Sequence, residues 1–192
     1  MIVGSHNSWS YLPVVKWWMR PLRFTARCQR VGIVEQYVIH EVRCFDLRVR
    51  FEGGHVVVVH GIVEFLCSKF NLMAYLDYLD RQGDCYVRVI HDVRTKRQYE
   101  RSSSELFVDL CNQLENSFKH IHFFCGQSLY DRHRYYKFFG DDPTMDEKYA
   151  SVTNPKLVDD WWPWLFAWRK NKQIRKEGSN KDVLMVDFVD IK

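Results

Sequence analysis

An α/β fold built on a largely parallel sheet is what this sequence predicts, and three observations predict it. Strand-forming and helix-forming segments alternate along much of the 192 residues. The strand segments are β-branched or strictly alternating, whereas the segments between them carry apolar residues at helical spacing. A hydrophobic content of 46% over 192 residues is enough for one sizeable core, so a single domain spanning 1–192 is expected.

The elements follow in chain order. Met1–Ser5 is a short apolar run ending in Gly4-Ser5, a strand that delivers His6 to its far end. Residues 13–39 mix aromatic and basic residues with Pro13 and Pro21, and predict one or two helices broken near Pro21. Val42–Phe51 alternates over its second half and reads as a strand. Glu52-Gly53-Gly54 marks a turn, and His55–Val59 is a second strand ending at His60-Gly61. Glu64–Arg81 places Phe65, Leu66, Phe70, Leu72, Met73, Leu76 and Leu79 at helical spacing. Cys85–Val93 predicts a strand, and Ser104–Phe118 a helix with Leu106, Phe107, Leu110 and Leu114 on one side. Ile121–Cys125 predicts a strand closed by Gly126, and the Tyr-rich stretch 128–154 predicts no definite element. Asn154-Pro155 opens a helix to about Lys176, interruptible at Pro163, and Asp182–Asp190 is a last strand. About six strands result, fewer than the eight of a complete TIM-like (β/α) barrel, so a distorted or truncated barrel is expected.

Bulk properties narrow the partners. The net charge is +4 with His neutral, and Lys16, Arg20, Arg23, Arg27 and Arg30 fall in one early stretch. That stretch favours anionic partners, and charge alone leaves membrane phosphates and nucleic acid both open. No apolar run reaches the roughly 18 residues that span a bilayer. The N-terminus carries neither a basic n-region nor an apolar h-region. Six cysteines (28, 44, 67, 85, 111, 125) show no CxxC pair, which predicts reduced, mostly buried thiols and a cytoplasmic protein.

Three segments place ionisable side chains at strand ends: Gly4-Ser5-His6-Asn7-Ser8, Cys44-Phe45-Asp46-Leu47-Arg48 and Val58-Val59-His60-Gly61. In a parallel barrel the carboxyl ends of strands share one mouth, where sites form. Two histidines at one mouth supply a general base and a general acid. An arginine between them neutralises the non-bridging oxygens of a phosphodiester. The plainer reading of Asp46 and Arg48, two apart on one strand face, is a structural salt bridge.

Taken together, G-S-H-N-S, R-C-F-D-L-R-V-R-F, V-V-V-H-G and the terminal V-L-M-V-D-F-V resemble the X-region of bacterial-type phosphatidylinositol-specific phospholipase C. The first 61 residues carry the likeness continuously, and the last strand adds a second anchor. The resemblance implies His6 as the base on the inositol 2-hydroxyl and Arg48 on the phosphate, with Asp46 its neighbour. It implies His60 as the acid on the leaving oxygen and Asp187 as the carboxylate that orients His6. Diacylglycerol and inositol 1,2-cyclic phosphate are the implied products. Bacterial-type members usually carry Asp after the first histidine, where this chain has Asn7. Calcium-dependent members carry Asn there together with an E-x-D pair. This chain has D-x-R, and a fixed cation at Arg48 repels calcium, so no metal and no cofactor are expected.

Asn7 and the pair His91-Asp92 are expected to contact substrate, the pair being equally suited to capping the next helix. Arg94, His122 and Arg132 are further candidates with no motif behind them. Tyr11–Trp18 resembles the short membrane-touching helix of the bacterial enzymes, so Trp17, Trp18, Lys16 and Arg20 are expected at an anionic membrane surface. The alternative buries both Trp in the core. In Trp161–Trp168, Leu165 and Trp168 are expected inside, with Trp161 or Trp162 outward. The implied partner is phosphatidylinositol in a membrane, with no nucleic acid and a peripheral location. Competing readings are a metal-dependent glycerophosphodiesterase or sphingomyelinase D-like barrel, and a non-catalytic barrel that binds phosphoinositide membranes.

Overall fold

The computed structural model describes residues 2–139, 149–151, 162–177 and 183–191. Its strands are β1 (Ile2–Ser5), β2 (Val42–Glu52), β3 (His55–His60), β4 (Val63–Phe65), β5 (Cys85–His91), β6 (Ile121–Ser128), β7 (Tyr149–Ser151) and β8 (Val183–Val186). Its α-helices are α1 (Arg23–Ala26), α2 (Ile33–Val38), α3 (Lys69–Gln82), α4 (Lys96–Arg101), α5 (Ser104–Ser117) and α6 (Pro163–Glu177). A 3-10 helix, Trp17–Leu22, carries Pro21 within it.

Six strands pair in parallel in the order β6-β5-β2-β1-β8-β7, and the sheet curls into a half-barrel. The α/β, TIM-like expectation therefore holds. Two described strands, β4 and β7, are additional to those read from sequence. They are three residues each, too short for a periodicity.

The hairpin departs from the all-parallel arrangement expected of the three site-bearing segments. β3 runs antiparallel to β2, turning at Gly53 and Gly54, which both have positive φ. Phe45 pairs with Ser5 of β1 and Val87 of β5, and Val49 pairs with Val58 of β3 and His91 of β5. β1 and β3 therefore share the edge of β2 that β5 does not occupy. β1 climbs that edge and stops at Ser5; β3 descends it and stops at His60. The two strand ends converge, so His6 and His60 become neighbours from opposite directions.

Other boundaries shift for local reasons. Helix α3 begins at Lys69 rather than near Glu64, because Val63–Phe65 extends the hairpin and Ser68 Oγ caps the Asn71 N–H. Phe70 is consequently 81% exposed, while Leu72, Leu76 and Leu79 are buried. β6 continues past Cys125 to Ser128, using positive φ at Cys125 and Gly126 to absorb a register shift. A side chain at 126 would meet the Tyr136 carbonyl at 2.1 Å, which leaves Gly as the residue that fits.

Helix α6 turns Pro163, Ala167 and Asn171 inward, a stripe at four-residue spacing. Trp168, expected inside, lies off that stripe at 64% exposure and stacks on Trp164 instead. The proposed helix start at Asn154-Pro155 and the side chain of Trp161 lie outside the described residues. All six cysteines are unpaired and buried. No helix among the described residues is long and apolar enough to cross a membrane.

Candidate active site

The site begins in the tight turn after β1. Asn7 takes φ 45°, a left-handed conformation that Asn tolerates, and this reverses the chain across the top of β2. The turn is then pinned at Asp46. The Asn7 N–H donates to Asp46 Oδ2 at 3.0 Å, and the Ser8 N–H donates to the Asp46 carbonyl at 3.0 Å. Ser8 Oγ accepts the Asp46 N–H at 2.8 Å and donates to the Ser5 carbonyl at 2.8 Å.

His6, Asp46, Arg48 and Asp187 then form one chain of contacts. Asp46 and Arg48 share a strand face, and Arg48 Nε donates to Asp46 Oδ2 at 2.8 Å. The plain salt bridge exists, and the same guanidinium does more: its Nη2 lies 2.7 Å from His6 Nε2. An arginine only donates, so Nε2 is the acceptor and the His6 proton sits on Nδ1. Nδ1 faces Asp187 Oδ1 at 2.7 Å, which accepts it. Burial alone pushes the Asp46 carboxyl up, but Arg48, Arg88 and His6 outweigh it and hold the group at about 2.

His60 completes the group, its ring centroid 5.7 Å from that of His6 and nearly perpendicular to it. Its Nδ1 lies 3.0 Å from the Ala26 carbonyl, an acceptor only, so Nδ1 carries the proton and Nε2 is the free nitrogen. Burial first, then the positive charges of Arg48 and Arg94 with His6 close by, pull the His60 pKa down to about 3. The Asn7 side chain donates to the same Ala26 carbonyl at 3.5 Å. Cys28 Sγ lies 3.8 Å from His60 Nδ1, its thiol pushed up chiefly by burial. His6, Cys28 and Asp187 offer ligand atoms within 4.8 Å of one another, the one such grouping of metal-ligating side chains among the described residues.

Sequence reasoning missed the residues that hold these loops. Gln29 Nε2 donates to the carbonyls of His6 and Val186 at 3.1 and 2.9 Å, while its Oε1 accepts the Val189 N–H at 3.1 Å. One fully buried carboxamide thus ties the His6 turn to both sides of Asp187. Gln36 Nε2 donates to the Ser8 carbonyl at 2.9 Å, and Asn171 Nδ2 to the Asp187 carbonyl at 2.8 Å. A glutamine in a polar stretch carries no periodic signal, and nothing in the sequence marks these three.

The expected substrate contacts sit elsewhere. His91 is fully buried, stacked on Phe107 and bonded to Ser102 Oγ at 2.7 Å, closed off by α4, α5 and β2. Asp92 is fully buried too; it accepts the Gly61 N–H at 3.1 Å and pairs with Arg94 at 2.8 Å. Asn7 lies beneath the mouth with no exposed surface. None of the three faces solvent. His122 stacks on Tyr86, and Arg132 is exposed in the turn after β6.

A cleft of about 550 Å³ opens beside His60, walled by Leu22, Ala26, Ile62 and Val63 with Arg94 at its edge. Trp17 is 75% and Trp18 58% exposed, so neither belongs to the core. Lys16 pairs with buried Glu64 at 2.7 Å, and Arg20 is exposed.

Among solved structures, the chain is similar to two bacterial phosphatidylinositol-specific phospholipases C. The enzyme of Listeria monocytogenes superposes with a TM-score of 0.59 at 14% identity, covering 97% of this chain and 87% of that one. The S. aureus enzyme gives a TM-score of 0.59 at 14% identity over 97% of this chain and 85% of that one. No family model and no curated protein sequence matches. At this identity the likeness establishes a shared fold.

Gln29→Ala should leave the buried His6 carbonyl and Val189 N–H without this partner, the Val186 carbonyl keeping the His6 N–H, at a cost of about 1–3 kcal/mol for each group stranded from water. The expected outcome is a melting temperature lowered by several degrees, measured by circular dichroism. An unchanged melting temperature would remove Gln29 from the support of the site.

Proposed function

We propose that this protein is a metal-independent phosphodiesterase that cleaves phosphatidylinositol to diacylglycerol and inositol 1,2-cyclic phosphate. The observation that carries the reading is a pair of neighbouring histidines, one of them bonded to a guanidinium, with His6 Nε2 2.7 Å from Arg48 Nη2 and the His60 ring 5.7 Å from that of His6. The shared fold with two such enzymes supports it.

In this mechanism the substrate phosphate binds Arg48, whose guanidinium caps the His6 lone pair in the free protein. Drawing Arg48 onto the phosphate uncovers Nε2, so binding the anion and freeing the base are one event. His6 Nε2 then takes the proton of the inositol 2-hydroxyl, and Asp187 stabilises the imidazolium through Nδ1. The 2-oxygen attacks phosphorus, and the bond to the glycerol oxygen breaks. His60 gives its Nε2 proton to that oxygen and keeps Nδ1 on the Ala26 carbonyl. The cleft beside His60, with Leu22, Ala26, Ile62 and Val63 among its walls, suits a lipid leaving group. Trp17, Trp18 and Arg20, all exposed, dock the protein on the bilayer in this reading.

On phosphatidylinositol vesicles in EDTA, the protein is expected to release diacylglycerol and an inositol cyclic phosphate seen by phosphorus NMR. His6→Ala, Arg48→Ala and His60→Ala should each lower turnover at least about a hundredfold with the fold retained. No product from the parent protein, or a folded His60→Ala variant at full rate, contradicts the reading. Activity lost in EDTA and restored by a thiophilic cation would instead favour metal chemistry at His6, Cys28 and Asp187.

The acid has a distinctive weakness. His60 donates from its charged form, yet its pKa lies near 3 and its partner is a neutral carbonyl. The charged fraction therefore grows as pH falls, and activity is expected to peak below neutrality. Asn7→Asp sets a carboxylate next to the Ala26 carbonyl and favours the His60 imidazolium. Each unit by which that raises the pKa increases the charged fraction at pH 7.5 by about tenfold. A pH–rate profile should move upward in pH and in rate; a folded variant with an unmoved profile contradicts this role for Asn7.

A further inference from the structure

Away from the reacting residues, Arg20, Arg23, Arg27 and Arg30 recur at spacings of three, four and three along the 3-10 helix, α1 and the segment that follows. All four line a cleft of about 500 Å³ whose aromatic walls are Phe24, Trp162 and Trp164. The rings of Phe24 and Trp162 meet at 5.9 Å and bring α1 and α6 together. None of His6, Arg48 or His60 lines it.

The cleft is short of negative charge. Arg30 pairs with Asp190, the one carboxylate bonded to these four arginines among the described residues. Arg23 Nη2 donates to the carbonyls of Tyr11 and Leu12, and its Nε is buried with no partner. Among the described residues, Arg27 donates to the carbonyls of Gln29 and Arg30, at 3.2 and 3.5 Å. Carbonyls satisfy hydrogens but cancel no charge. Burial, then Arg23 and Arg30, accordingly push the Arg27 guanidinium below its ordinary value. An incoming anion relieves that crowding.

The aromatic residues say which anion. Trp17, Trp18, Trp162, Trp164 and Trp168 are all exposed, and indoles beside arginines suit the headgroup layer of a bilayer. Nucleic acid, which would stack its bases on such rings, is left as an outcome of the test. We propose that this cleft binds the phosphate of an anionic, non-substrate phospholipid at the membrane surface, as a second lipid site beside the reacting one. The site needs no catalysis, so its test is independent of the activity proposed above.

The test uses vesicles without inositol lipid: phosphatidylcholine alone, and phosphatidylcholine containing phosphatidylglycerol. The parent protein is expected to sediment preferentially with the mixed vesicles. Arg20→Gln with Arg27→Gln should weaken that binding by about 25- to 30-fold, two cations at roughly fivefold each. Arg27→Lys keeps the charge and should retain most of the preference, which separates charge from packing. Arg97→Gln with Arg101→Gln removes two exposed cations elsewhere and should change binding far less. Equal losses for the two double variants would reduce the effect to diffuse surface charge and overturn the site. So would a single-stranded oligonucleotide that displaces the mixed vesicles, or inorganic phosphate that binds as tightly as they do. A parent protein with no preference for anionic vesicles also overturns it.

Discussion

The Arg48 guanidinium is the contact on which the rest of the site depends. Asp46 is wholly buried, and its charge is tolerable there because Arg48, with Arg88 behind it, neutralises it. Stranding a buried charge costs several kcal/mol, on the order of 3–5 when one partner of a buried pair is removed. Asp46 in turn anchors the turn that carries His6, through the N–H groups of Asn7 and Ser8. Arg48 then reaches His6 directly and selects its tautomer. One side chain thus balances a charge, fixes a loop on a strand and sets where a proton resides.

Sheet topology brings the second histidine to that arginine. A barrel strand followed by a helix would carry His60 away from β1; the hairpin brings it back along the same edge of β2. β2 is eleven residues long, enough for its lower part to pair with β1 and its upper part with β3. The loops above that edge have little regular structure to hold them. Buried carboxamides do so instead: Gln29, Gln36 and Asn171 bond the backbone of the His6 turn and of the Asp187 segment. Carboxamides suit this work because each offers both donors and an acceptor without a charge to compensate.

Much of this was legible in the residues. Alternation and turn chemistry place His6, Arg48 and His60 at strand ends, whereas Asp187, inside the expected strand Asp182–Asp190, is reached through the family resemblance alone. Where the reading went astray, two periods fitted one string: Phe65, Leu66 and Phe70 suit a helix, yet the first extends a hairpin and the last faces solvent. The burial of His91 and Asp92 was hidden because a strand end looks the same whether or not helices close over it. The Ala26 carbonyl that orients His60 is a backbone atom, and backbone acceptors leave no trace in sequence. Asn7 was noticed as a departure; that its amide meets the same carbonyl is visible only in three dimensions.

The central claim is that Arg48 caps His6 Nε2, holding the proton on Nδ1 against Asp187 until an anion draws the guanidinium away. A long-range nitrogen–proton correlation spectrum of the histidine-labelled protein reads that tautomer directly. The expected His6 pattern is a protonated Nδ1 and an unprotonated Nε2, with the Nε2 resonance moving when a soluble inositol phosphodiester is added. A proton on Nε2 in the free protein, or an Nε2 resonance indifferent to the diester, would contradict it.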